Sequence, residues 1–127
     1  MTEIKTTDAQ ATVARYLEAW NERDAAARRA IIDEIWAQGG TYTDPLAEVA
    51  GRDGIDAAIA AVQAQFPALV FRPGGPVDAH HELARFTWEL GPEGGEALVV
   101  GFDVAVFDND GRIHAVLGFL DKVPAGL

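Results

Sequence analysis

The chain has 127 residues, no cysteine and a formal net charge of −10. That length suits one domain with a core of its own, and the missing cysteines exclude a disulfide framework, a thiol nucleophile and thiolate metal sites. The excess of acids argues against nucleic acid and against anionic membrane surfaces as partners. The N-terminus carries no apolar signal-like run and no segment is long enough to span a bilayer. A cytoplasmic protein with a single domain over residues 1–127 is therefore expected.

The stretch TTDAQATVARYLEAWNERD predicts a helix, with Thr7 and Gln10 spaced as a capping box and Val13, Tyr16, Leu17 and Trp20 on one stripe. Asp24 is placed to cap a second helix, AAARRAIIDEIWAQ, which Gly39-Gly40 should stop. TYTDP reads as a short extended piece, because Pro45 pushes Asp44 out of helical geometry. A third helix is expected from Asp53 to Phe66, ended by Pro67.

After that the texture changes. ALVFRP, VDAHHELARFTWEL, EALVVGFDVAVFD and RIHAVLGFLDKV read as strands, separated by Gly-Gly-Pro, Gly-Pro-Glu-Gly-Gly and Asn-Asp-Gly. Helices first and a strand meander afterwards make an α+β domain with a curved antiparallel sheet. Alternation puts Gly101, Asp103 and Ala105 on one face and Phe102, Val104 and Val106 on the other. A two-residue turn at Asp110-Gly111 would set Asp103 opposite Gly118, with Val116 and Leu120 on the same face. A carboxyl in such surroundings must be protonated, paired or hydrogen-bonded. Arg85 or a backbone group could serve as its partner.

His80 and His81 are adjacent, and His81 would share a strand face with Arg85. Either could shuttle a proton or simply sit at the surface. With His114 they show no zinc-ligand spacing, so no metal is expected. Phe102, Val104 and Val106, with Leu117 and Phe119, make the outer sheet face too apolar for water. A two-fold homodimer through that convex face is expected.

Taken in order, ARYLEAWNERD, YTDP, GRDGI, FDVAVFDNDGRI and GFLD resemble the nuclear transport factor 2-like superfamily. Within it they are similar to the SnoaL-like polyketide cyclases and the ketosteroid isomerases. The resemblance runs from Ala11 to Val123. It implies a cone-shaped, cystatin-like fold in which three N-terminal helices pack on a curved antiparallel sheet around a deep pocket. It also implies roles: Tyr16 stands where the isomerases keep an oxyanion-hole tyrosine, Asp44 where they keep the general base. Asp103 stands where they keep a protonated acid that gives the oxyanion a second hydrogen bond. His81 joins these as a candidate proton shuttle. Trp20, Tyr42, Phe66, Phe86, Trp88, Gly118 and Leu120 are expected to form an apolar ligand site.

The implied chemistry is cofactor-independent proton abstraction next to a carbonyl of a hydrophobic small molecule. One alternative is a non-catalytic binding or dimerisation domain of the same fold. Another is an epoxide hydrolase or dehydratase using Asp103 with Arg85 or His81. The chain departs from the isomerases in a longer second helix, in Leu120 where they keep an aromatic, and in the HHELARFTWEL segment.

Overall fold

The structure, a computed structural model, describes residues 6–125. Helix α1 spans Thr6–Asn21 and buries the stripe of Val13, Tyr16, Leu17 and Trp20, as the spacing requires. Thr7 is already inside this helix rather than at its cap, and its side chain lies outside the described part. Helix α2 (Ala25–Ile35) starts as expected: Asp24 is extended and its carboxylate accepts from the Ala27 N–H at 2.9 Å.

Its end differs from expectation. Trp36 is extended and opens strand β1 (Trp36–Thr43), so WAQGG is strand and not helix. The cause is tertiary. The Trp36 side chain is 1% exposed, and a Cβ at Gly40 would come within 2.7 Å of its ring. The Arg52 guanidinium donates to the Trp36 carbonyl at 2.7 and 3.1 Å and closes the exit. The glycine pair lets a strand pass close to a buried indole; it does not stop a helix.

A short strand β2 (Glu48–Ala50), not expected from the sequence, returns antiparallel to β1 and leads into α3 (Gly51–Gln65). Strands β3 (Val70–Pro73), β4 (Asp78–His80), β5 (Leu83–Gly91), β6 (Val99–Phe107) and β7 (Ile113–Lys122) complete one sheet. Its order is β2-β1-β7-β6-β5-β3, with β4 paired to β5. The sheet is mixed and not antiparallel throughout, because β1 lies parallel to β7. The chain between those two strands, α3 included, supplies the long crossover that a parallel pair needs.

Two turns differ from expectation. The segment VDAHHELARFTWEL is not one strand: His81, at φ 50°, turns the chain so that His80 pairs with Leu83 across a hairpin. Asp103 does pair with Gly118, but by another route. Asn109, Asp110 and Gly111 form a three-residue loop closed by Asp108 N–H to Arg112 O at 2.8 Å, with Gly111 at φ 80°. An irregularity at His114 then restores the register.

Buried polar contacts fix the helices where they meet the pocket. Arg28, 6% exposed, pairs with Asp56 at 2.6 Å and donates to Gln63 Oε1 at 3.0 Å. The Gln63 amide donates to the carbonyls of Trp20 (3.0 Å) and Glu22 (2.8 Å), so all three helices are tied at the C-terminal end of α1. Asn21 exchanges two hydrogen bonds with the Phe71 backbone, at 2.8 and 2.7 Å, and docks β3 against the same end. No helix among the described residues is long and apolar enough to cross a membrane.

Candidate active site

The inward face of β6 carries Gly101, Asp103 and Ala105 toward the helices. Asp103 is 1% exposed. Tyr16, buried on α1, donates its hydroxyl proton to Asp103 Oδ2 at 2.9 Å. The other oxygen, Oδ1, is buried and has no hydrogen-bond partner among the described residues. Such an oxygen leaves a desolvation cost unanswered.

The absence of a side chain at residue 118 makes room for it. A Cβ at Gly118 would sit 2.6 Å from Asp103 Oδ1 and 3.4 Å from the Asp44 Cβ, so the two acids flank this glycine. Gly101 plays a comparable part for Trp88, whose ring occupies the space a Cβ there would need.

Asp44, just beyond β1, is held differently. Its Oδ1 accepts from the backbone N–H groups of Leu46 and Ala47, both at 2.8 Å. Its Oδ2 accepts from the Tyr42 hydroxyl at 2.5 Å. The Asp44 N–H closes the loop on Ala47 O at 2.9 Å. Asp44 follows Tyr42 by two residues, one past the end of β1, so the extended alternation carries both side chains to one face.

Burial pushes the Asp103 carboxyl up from its ordinary 3.8 to about 6. The hydrogen bond from Tyr16 pulls the other way, as does the nearby Trp88, and the Asp44 charge pushes up. Burial thus moves Asp103 toward the neutral acid that the family resemblance implies. Both tyrosines are raised well above the usual phenol range, by burial first and the Asp103 charge second. They remain proton donors at any physiological pH, which leaves the carboxylates as the proton acceptors.

Around these groups the pocket is apolar. The cavity measures about 40 Å³, and about 500 Å³ when the space open to solvent at its mouth is counted. Of the expected ligand-site residues, Trp20, Tyr42, Phe66, Trp88 and Leu120 line it, together with Tyr16, Asp44 and Asp103. Phe86 does not: it stands behind Tyr16, ring centroids 5.5 Å apart, edge to face. Gly118 contributes space between the acids rather than a wall.

Leu17, Leu46, Val62, Phe71, Leu90 and Val99 also line the pocket, and the sequence pattern did not single them out for it. Leu90 and Val99 were readable from alternation with Trp88 and Gly101. Phe71 and Leu46 had no signal in the sequence, since one depends on β3 docking against α1 and the other on the loop after Asp44.

His81 is exposed in the β4–β5 turn and does not line the pocket, because the hairpin removes it from the strand it was assigned to. Arg85 points outward and pairs with Asp78 at 3.1 Å rather than with Asp103. The hydrolase-type pairing of Asp103 with Arg85 or His81 is therefore not made. Among the described residues no three His, Asp or Glu side chains converge as metal ligands.

The SnoaL-like domain profile matches residues 13–116. A proposed isomerase of the SnoaL-like family from Agrobacterium tumefaciens is 38% identical over 91% of this chain and 99% of its own, with a TM-score of 0.87. A proposed SnoaL-like polyketide cyclase from Jannaschia sp. CCS1 is 20% identical over 95% of this chain and 90% of its own, with a TM-score of 0.75. A proposed ketosteroid isomerase from Kribbella flavida is 18% identical over 95% and 83%, with a TM-score of 0.68. The last two likenesses show the fold alone. That fold, three helices on a curved and unclosed mixed sheet, is the cystatin-like and nuclear transport factor 2-like one. No curated protein matches the chain.

Proposed function

The chain belongs to the SnoaL-like domain family, and from that premise we propose that it is a cofactor-independent isomerase- or cyclase-type enzyme. It would remove a proton next to a carbonyl of a hydrophobic small molecule. The observation that carries this reading is the unpartnered Asp103 Oδ1 at an apolar pocket wall, with the Tyr16 hydroxyl on one side and Asp44 across Gly118 on the other.

Asp44, ionised, takes the proton from the carbon beside the carbonyl. The C–H electron pair moves into a carbon–carbon double bond, and the carbonyl electrons move onto oxygen. That oxygen lies against Asp103 and Tyr16. When Asp103 is protonated it no longer claims the Tyr16 proton, and both O–H groups turn to the developing enolate. An apolar ligand removes water from the pocket and favours the neutral acid further. Asp44 then returns the proton at another carbon, or the enolate carbon closes a ring onto an electrophile in the same molecule.

A non-catalytic binding domain is the second reading, favoured by the unpartnered Asp103 Oδ1, which would then accept from a ligand hydroxyl. Proton exchange separates the two. Incubated in D2O with a panel of cyclic enolisable ketones, the protein should speed α-proton exchange measured by NMR. Asp44→Asn should cut that rate by ~10²–10⁴-fold. Exchange no faster than buffer across the panel, with ligands still bound, would leave the binding domain.

The convex face is read as the seat of a second copy. Phe119 is 61% and Leu117 45% exposed, and they pair across strands with Phe102 and Val104. These apolar groups outside the helix-covered side support a two-fold dimer.

A further inference from the structure

The Tyr42 hydroxyl makes a contact that a pocket aromatic does not need. Its ring packs on Trp20, centroids 5.5 Å apart, and a phenylalanine could fill that place as well. Yet the buried hydroxyl is spent on Asp44 Oδ2 at 2.5 Å, and not on a backbone carbonyl. This is the length of a hydrogen bond to an anion.

A carboxylate offers about four acceptor positions, two on each oxygen. Leu46 and Ala47 N–H groups occupy both positions on Oδ1. Tyr42 occupies one on Oδ2. One position remains, and it is on the oxygen that Tyr42 holds.

We propose that Tyr42 is a positioning residue for the base, fixing the Asp44 carboxylate so that its one open acceptor position, on Oδ2, faces the substrate. The proposal rests on the reading of Asp44 as the general base. In the step it serves, the substrate C–H bond breaks and an O–H bond forms on Oδ2. The electron pair ends on the carbonyl oxygen, and the proton later leaves Oδ2 for carbon. Tyr42 neither gains nor loses a proton. It prevents the carboxylate from rotating about its Cβ–Cγ bond, which the backbone N–H pair alone would restrain at only one oxygen.

The test uses the full chain, its Tyr42→Phe and Asp44→Asn variants, and the ketone exchanged fastest by the wild type. In Tyr42→Phe, kcat should fall about 10–100-fold while KM stays within about threefold, the pattern of a misaimed group rather than a lost binding contact. The wild-type proton NMR spectrum should show a hydroxyl resonance downfield of the amides. It should vanish in Tyr42→Phe and move upfield in Asp44→Asn, where a neutral amide replaces the anion. The proposal is overturned by kcat within twofold of wild type, by a loss of kcat that only tracks a loss of folded protein, or by a resonance absent from the wild type or unmoved in Asp44→Asn. If the wild type turns nothing over, the enzyme reading falls by itself, and the resonance still decides whether Tyr42 anchors Asp44.

Discussion

Asp44 and Asp103 flank the same glycine, yet the chain supports them in opposite ways. Asp44 sits at a strand end, half-buried, with three donors on its two oxygens. Asp103 sits mid-strand, 1% exposed, with one hydroxyl on Oδ2 and nothing on Oδ1 among the described residues. A loop end can turn its own backbone N–H groups onto a carboxylate; the N–H groups of a central strand are already committed to its neighbours. So the position in the fold, and not the residue type, separates a stabilised anion from an acid that burial drives toward neutrality.

The comparison breaks most easily at Asp103. Asp103→Leu should lower α-proton exchange by ~10²–10³-fold, as expected for loss of an oxyanion donor. The effect of the Asp103 carboxyl on stability runs the other way. Between pH 3.8 and about 6 the folded chain holds a proton at Asp103 that the unfolded chain has released. The group's contribution is therefore fully present below pH 3.8 and is lost as pH rises through about 6. The stability of Asp103→Asn relative to wild type should rise by roughly 2 kcal/mol from pH 4 to pH 7 in urea titrations. A flat difference would show that the Asp103 carboxyl binds its proton equally in the folded and the unfolded chain.

Gly118→Ala tests the space between the acids. The added methyl meets Asp103 Oδ1 at 2.6 Å and cannot be absorbed without moving that carboxyl or β7. A stability loss of ~1–3 kcal/mol is expected, together with loss of exchange activity. An unchanged urea midpoint would show that Asp103 can swing away freely. The smallest effect on the pocket should come from the opposite side of the sheet. Phe119→Asp should turn a dimer into a monomer in light scattering, with exchange activity per chain within about twofold, since single surface changes rarely move a core. A monomeric wild type would remove the dimer from the description.

Much of the site was legible in the amino-acid sequence. Tyr16 sits at a helical spacing that buries it, Asp103 at a strand parity that turns it inward, and Asp44 before a proline that keeps it out of a helix. Each is a local rule acting on a few residues. His81 was misplaced because a histidine at positive φ turned what read as one strand into a hairpin, and no Gly, Asn or Asp marked that turn. Phe86 had the right parity but the wrong depth, since Tyr16 stands between it and the pocket.

The sequence by itself determined the α+β order and the inward parity of β6, while the acid–base roles of Tyr16, Asp44 and Asp103 came from a family resemblance. It did so because helix and strand periodicity are properties of neighbouring residues. Only the tertiary structure decided that Trp36 ends α2 and starts a strand, and that β1 lies parallel to β7. It also decided that Phe71 and Leu46 complete the pocket and that Tyr42 binds Asp44 while Arg85 turns away to Asp78. These depend on which distant segments meet. Local pattern cannot record such choices, because the energy that settles them belongs to contacts formed only once the sheet has closed over the helices.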